Sequence, residues 1–293
     1  MTKKQKELLE IIENKLQNLN VREILNYEKY SGPGLKKKIK RLIFSPRVYI
    51  RNKFREFIKF IKNKNKENVI KFSNNLEILK NFLSNLDSIN ELKTIKFFIK
   101  NLNHNDIFYD IGAEKGVYTS LAIELCKEVH SFEPMPEFFE ILKMQFGNYS
   151  NVFLNNLALS NKKGKAKLSK NPTSIVDEIK TLYKTKSVEI EVETLTLDEY
   201  IKNHSVPTAI KMDVEGAEYL ILEGGEMLFR NYTPIIAMEV LGDEFLANSL
   251  KAINLLQKFG YKPFEILLDG SIKEISYSQF YKAKGICNYV FKK

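Results

Sequence analysis

Asp106-Ile107-Phe108-Tyr109-Asp110-Ile111-Gly112-Ala113-Glu114-Lys115-Gly116 runs from an apolar stretch into an acid and two glycines, and Val117-Tyr118-Thr119-Ser120-Leu121-Ala122 follows with helical character. A strand that turns on glycine and re-enters as a helix is the first half of a βαβ unit. The same alternation continues outward. Val129 to Phe132, Val152 to Leu154, Thr208 to Met212 and Ile235 to Met238 predict further strands, and Pro136 to Phe146 and Ala217 to Phe229 predict helices between them. Tyr261 to Leu267 and Asn288 to Phe291, with the turn Asp269-Gly270, predict two more strands closing the sheet. The expected fold is α/β, a doubly wound, mostly parallel sheet with flanking helices, which places ligands at the carboxyl ends of its strands.

Upstream of residue 100 the pattern is different. Leu8, Ile11, Ile12 and Leu16 recur at helical spacing within Lys3 to Leu19, and Ser31-Gly32-Pro33-Gly34 breaks the chain. Residues 35–66 hold thirteen Lys or Arg against one acid, Glu56, a local net of +12 in a chain of net +10, so the remainder sums to −2. Within this segment Ile50, Phe54, Phe57, Ile58 and Ile61 gather on one helical face ringed by basic residues, and Lys62 to Asn68 reads as a solvated linker. Such a basic amphipathic helix suits an anionic membrane surface. It equally suits packing on the rest of the chain or on a second copy in a homo-oligomer. Two domains are expected, a helical basic extension over 1–100 and a catalytic domain over 101–293.

With 44% hydrophobic residues in 293, the chain can bury a sizeable core. No apolar run reaches the roughly 18 residues of a membrane span, and the charged start Met1-Thr2-Lys3-Lys4 is unlike a secretory signal. A cytoplasmic address is expected, with the basic segment as a peripheral contact to the inner membrane face. The two cysteines, Cys126 and Cys287, have no metal-ligand spacing and read as core residues.

The turn after the first strand carries the chemistry. Gly112 allows a tight backbone turn, and Gly116 is expected to let the helix start approach a ligand. The second strand ends at Glu133, 23 residues after Asp110. An acid there can accept both hydroxyls of an adenosine ribose. Nicotinamide enzymes and methyltransferases share these features and part at the phosphate. A pyrophosphate needs a Gly-x-Gly-x-x-Gly cradle, and the second glycine is here Glu114. Asp110 and Glu114 suit the cationic aminoacyl end of S-adenosylmethionine instead. A strand-to-helix turn with no ligand is the plain alternative.

Asp110-Ile111-Gly112-Ala113-Glu114-Lys115-Gly116, Phe132-Glu133-Pro134, Asn156-Leu157-Ala158-Leu159-Ser160, Leu195-Thr196-Leu197-Asp198 and above all Ile210-Lys211-Met212-Asp213-Val214-Glu215-Gly216-Ala217-Glu218 resemble the FkbM family of methyltransferases. The resemblance covers about residues 100–293; Glu114 departs from it, standing where the family usually has Asn. It implies a class I, Rossmann-like methyltransferase fold and S-adenosylmethionine as donor, bound by Asp110, Gly112, Ala113, Glu114, Gly116, Thr119, Glu133, Pro134, Asn156 and Asp213. It also implies an oxygen acceptor, often a hydroxyl of a sugar or secondary metabolite. A sugar or nucleotide-sugar destined for surface polysaccharide or glycoconjugate is the leading expectation.

Methyl transfer requires a group to take the acceptor's proton. Asp213, at the end of the fourth strand, is the first candidate, and Lys211 alternates onto the same face. A helix N-cap is the alternative role for Asp213. Glu239 occupies the matching place on the fifth strand, either as a solvated strand end or as a partner of Asp213 for a divalent cation, Mg²⁺ or Mn²⁺, as in the similarly built catechol-type O-methyltransferases. Glu215 and Glu218 suit a helix start. His104, His130 and His204 read as structural, and Tyr118 and Phe138 as core. Nucleic acid is not an expected partner, since the Asn/Asp-Pro-Pro-aromatic motif for exocyclic amines is absent. The rival readings are methylation of another small molecule or of nucleic acid, and a binding protein that keeps the fold without turnover.

Overall fold

Alternate residues of the central strands go to opposite faces, and each face has its own core. Phe108, Val129, Ala209, Ala237 and Val290 belong to one apolar cluster, whereas their chain neighbours Tyr109, Ile210, Ile236 and Phe291 belong to the other. That period-two division is what a sheet covered on both sides demands. The computed structural model describes residues 1–18, 74–86, 88–169 and 189–293. The break at 31–34, the basic segment 35–66 with its amphipathic helix, and the linker at 62–68 lie outside the described residues.

Among the described residues, three helices precede the sheet: α1 (Lys3–Asn18), α2 (Asn75–Asn85) and α3 (Ile89–Asn101). The α/β region follows as β1 (Ile107–Ile111), α4 (Val117–Leu125), β2 (Glu128–Phe132), α5 (Pro136–Phe146) and β3 (Val152–Asn155). Next come β4 (Ala158–Leu159), β5 (Gly164–Ser169), β6 (Glu189–Leu195), α6 (Leu197–Tyr200) and β7 (Ala209–Met212). The chain then forms α7 (Glu218–Glu223), α8 (Glu226–Asn231), β8 (Ile235–Leu241), α9 (Leu246–Lys258), β9 (Lys262–Ile266), β10 (Ile272–Glu274) and β11 (Ile286–Lys292). The main sheet has the order β10-β9-β11-β8-β7-β1-β2-β3. Strands β3, β2, β1, β7 and β8 are parallel, and β11 runs antiparallel between β8 and β9. This is the class I methyltransferase arrangement.

The strands, the helix at 136–146 and the two closing strands follow the sequence reading. The single helix expected over 217–229 is broken in two at Gly224-Gly225, the C-cap of one helix and the N-cap of the next, and position 224 requires glycine because a Cβ there would lie 2.1 Å from the Ser160 carbonyl oxygen. A second, three-stranded sheet of order β4-β6-β5, between β3 and β7 in sequence, has no counterpart in that reading.

Helices α1 to α3 and α4 cover one face. Leu92, Ile95, Phe98 and Ile99 of α3 are fully buried, each contributing roughly 1.5–3 kcal/mol. The Phe98 ring meets Phe108 edge-on at 5.1 Å. Leu8, Ile12 and Leu79 join the same core as β1, β7, β8 and β11, so the described helices before residue 102 and the sheet share one interior. Helices α6 to α9 cover the other face. None of the described helices is long and apolar enough to cross a membrane.

Candidate active site

The apolar face beneath α3 turns polar toward the carboxyl ends of the strands. Asp110 on β1 pairs in register with Lys211 on β7, and two residues further along, Glu239 on β8 pairs with Asn288 on β11. Asp213 continues β7 by one residue, its N–H bonded to the Ile111 carbonyl. The result is a row of polar groups crossing four strands, charged on β1, β7 and β8 and neutral at Asn288 on β11.

Gly112 makes the turn that opens this row. Its φ is +81°, and a Cβ there would stand 1.9 Å from the Asp213 carbonyl oxygen, so β1 and β7 can end side by side only with glycine at 112. The N–H groups of Gly112 and Ala113 both donate to the Phe132 carbonyl. The absent Cβ of Gly116 would point at Phe146 and Leu142 of α5, 2.4 and 2.7 Å away, so helix packing on that side also requires this glycine. Glu114 has φ +48°, a left-handed conformation that Asn tolerates better than Glu, which gives a backbone reason for the asparagine usual here in the family. The Glu114 side chain is exposed and pairs with Lys115 at 3.0 Å. Its N–H is what reaches the site, donating to Glu133 Oε2 at 2.8 Å.

Glu133 ends β2 and is buried, its second oxygen taking the Met135 N–H at 2.8 Å. Burial pushes its carboxyl up to about 8, against the two backbone donors. A carboxylate has about four acceptor positions, so two remain for a pair of vicinal hydroxyls. Asn156 braces this corner by donating to the carbonyls of Glu133 and Pro134. Asp110 is buried as well, its carboxyl raised to about 6 by burial, with the Thr119 hydroxyl and the Lys211 charge working against that rise. Thr119 is fully buried, bonded to Asp110 Oδ2 at 2.6 Å and to Ser131. The structure places it behind Asp110 as a support.

Lys211 Nζ lies 3.3 Å from Asp213 Oδ2. Burial alone would lower the lysine, but Asp213, Glu91, Glu239 and Asp110 together outweigh it and hold the ammonium above its ordinary value. Lys211 is therefore a fixed cation and no proton acceptor at neutral pH. Asp213 does not cap the next helix, since the N-cap position of α7 is Ala217, with no side-chain cap. The loop between them is closed by Glu218, which accepts the N–H groups of Val214 and Gly216 while burial raises its carboxyl to about 7.

The donor set does not fit a divalent cation at Asp213 and Glu239. The Lys211 ammonium already supplies the positive charge that both carboxylates face, and among the described residues no three His, Cys, Asp or Glu side chains converge as a metal group. His130 is fully buried, bonded to Tyr200 and Glu128, and His204 stacks on Tyr200, both structural as expected.

The sequence reading missed Glu91 and the second role of Tyr118. Tyr118 is a core residue, as expected, yet its hydroxyl donates to Glu91 of α3 at 2.5 Å. The available signal was the polar set Asn90, Glu91 and Thr94 interrupting a helix face that is apolar at Ile95 and Phe98.

The family model for the methyltransferase FkbM domain matches residues 110–263. No curated protein sequence matches the chain. Among solved structures, the chain is similar to a methyltransferase FkbM from Methylobacillus flagellatus KT, at 14% identity and TM-score 0.44. That match covers 80% of this chain, which spans 58% of the length of the Methylobacillus protein. Fibrillarin from Aeropyrum pernix, in complex with S-adenosyl-L-methionine, is similar at 9% identity and TM-score 0.37, over 65% of this chain and 67% of that one. An rRNA methylase from Streptococcus thermophilus is similar at 11% identity and TM-score 0.41, over 71% of this chain and 98% of that one. With the domain match spanning more than half of its residues, the chain belongs to the FkbM methyltransferase family.

Proposed function

We propose that the protein is an S-adenosylmethionine-dependent O-methyltransferase acting on a hydroxyl of a sugar or nucleotide-sugar, in surface polysaccharide or glycoconjugate synthesis. The observation that carries the methyl-transfer part is the meeting of three acids at adjacent strand ends, Asp110, Glu133 and Asp213, around a turn with no phosphate cradle. The sugar rests on the family resemblance.

The two free acceptor positions on Glu133 fit the ribose hydroxyls, and Asn156 and Pro134 shape the strand end beside them. Asp110 and Asp213 place negative charge where a sulfonium is favoured. When bound, S-adenosylmethionine supplies the methyl group for an in-line displacement by the acceptor oxygen. Asp213, its carboxylate still partly exposed, takes the acceptor's proton, and Lys211 fixes that carboxylate's position. The +12 segment at 35–66 would hold the enzyme near an anionic surface.

The direct test incubates the purified chain with methyl-labelled S-adenosylmethionine and a panel of nucleotide sugars and free sugars. Label in an alkali-stable sugar ether is the expected result. Transfer only to a non-sugar acceptor, or to RNA, would replace the substrate assignment while leaving the enzyme class standing.

A further inference from the structure

Helix α3 lies outside the residues matched by the family domain, yet its first turn reaches the polar row. Ser88 caps the helix by accepting the Glu91 N–H at 3.3 Å. Glu91 then receives one donor on each oxygen, the Tyr118 hydroxyl at 2.5 Å and the Asn288 amide at 3.0 Å. Asn288 is itself fully buried and fixed three ways. Its N–H donates to Asn90 Oδ1 at 3.0 Å, its amide also donates to Thr94 Oγ1 at 3.0 Å, and β11 sets it across from Glu239. The Glu91 carboxylate is thus held at a defined point at the edge of the site.

Lys211 is the group that point serves. Its Nζ lies 5.2 Å from the centroid of the Tyr118 ring, the same ring whose hydroxyl is bound to Glu91. A cation near an aromatic ring is attracted to its π-face, and the attraction grows when the ring's hydroxyl is polarised toward a carboxylate. Lys211 pairs with Asp213 at 3.3 Å, and the charges of Glu91, Glu239 and Asp110 also act on its ammonium, so they bear on how it is seated against that carboxylate. Glu91 and Tyr118 approach from the helix layer, and Asp213, Glu239 and Asp110 from the sheet.

We propose that Glu91 is a positioning residue for the reaction, acting through Tyr118 and through its own charge to seat the Lys211 ammonium against Asp213. The helix before β1 is then part of the catalytic unit. This rests on the methyl-transfer reading above.

The test uses the full chain. Glu91→Gln keeps the shape and removes the charge. It is expected to lower kcat about tenfold while cofactor-product affinity, by calorimetry, stays within about twofold. Tyr118→Phe should lower kcat similarly, and the double variant should be no worse than either, because both act on one group. In ¹⁵N-lysine-labelled protein the Lys211 Nζ signal, assigned by its loss in Lys211→Met, should shift in both single variants. Wild-type kcat in Glu91→Gln, additive losses in the double variant, or an unmoved Lys211 signal would overturn the proposal. A fall in kcat accompanied by equal losses of cofactor affinity and melting temperature would also overturn it, making Glu91 merely structural. If the wild-type chain methylates no acceptor, the functional reading fails separately, and the Lys211 signal still decides whether Glu91 positions that lysine.

Discussion

Lys211 and Asp213, two residues apart on one strand and its extension, form an ion pair of 3.3 Å in which the lysine is fully buried and the aspartate is still about a quarter exposed. The buried member is locked, and the open member is the one we propose to face the acceptor. Burying an ammonium is costly unless it is paired, so Lys211 has no freedom to leave Asp213 without losing much of its compensation. Asp213→Asn retains the shape and removes the charge. It should therefore drop turnover by about 10²–10⁴-fold, the range for loss of a general base, while calorimetry still detects the cofactor. Wild-type turnover in this variant would end the assignment.

The same pair predicts the response to chelation. Since Lys211 supplies the cation that Asp213 and Glu239 face, EDTA should leave the methyl-transfer rate unchanged. Activity lost to EDTA and restored by Mg²⁺ or Mn²⁺ would show that the two carboxylates bind metal in the working enzyme.

Gly112 and Gly260 share a left-handed backbone but have different surroundings. Both have φ above +80°, yet a Cβ at 260 meets nothing within 4 Å while one at 112 runs into the Asp213 carbonyl. Gly260→Ala should cost only the conformational penalty of about 1–2 kcal/mol. Gly112→Ala adds overpacking of about 1–3 kcal/mol and pushes β7's end away from the turn, so cofactor binding should fail with it. Equal melting temperatures for the two variants would contradict this account.

Much of this was legible in the sequence. The alternation of strands and helices, the acids at positions 110, 133 and 213, and the glycine turn all rest on local patterns, which short-range sterics and burial enforce. The rest depends on partners distant in sequence. That the missing Cβ of Gly116 also makes room for packing is decided by Phe146, thirty positions on. Strands β5 and β6 did leave a trace, in the alternating lysines of 165–167 and glutamates of 189–193. These pair across the sheet, as in Lys165 with Glu191 at 2.7 Å, while the alternating Ala166, Leu168, Ile190 and Val192 pack into an apolar cluster, a period-two pattern that the sequence reading passed over. Glu91 was hidden because nothing within α3 names Tyr118 or Lys211 as its neighbours.

Charge in the segment 35–66 predicts a salt-dependent association. The full chain should sediment with vesicles containing anionic lipid at low ionic strength and be released as salt is raised, because the Debye length shrinks from about 30 Å at 0.01 M to about 8 Å at physiological ionic strength. Neutral vesicles should not retain it. A chain that ignores anionic vesicles at low salt would place the amphipathic stripe against protein instead.

The proposed binding of the ribose by Glu133 would link cofactor binding to a proton. Its carboxyl is raised by burial from the ordinary 4.5 to about 8, so the folded protein without ligand holds a proton there at pH 7 that the unfolded chain does not. The sign follows from that difference. The stabilisation from this proton is fully present below about pH 4.5 and is lost as pH rises through about 8. Ribose hydroxyls donate to the ionised carboxylate, so binding must expel the proton, and affinity should rise with pH until about 8. Calorimetry at pH 7 in two buffers of different ionisation heat should register release approaching one proton per site. Asp110, raised only to about 6, is already mostly ionised at that pH and adds little. Glu133→Gln should abolish the release, weaken binding above pH 8 by about 1.5–3 kcal/mol, and flatten the fall in apo stability between pH 5 and 8. Proton release of the same size in Glu133→Gln would show that another group carries the linkage, and the ribose assignment of Glu133 would go with it.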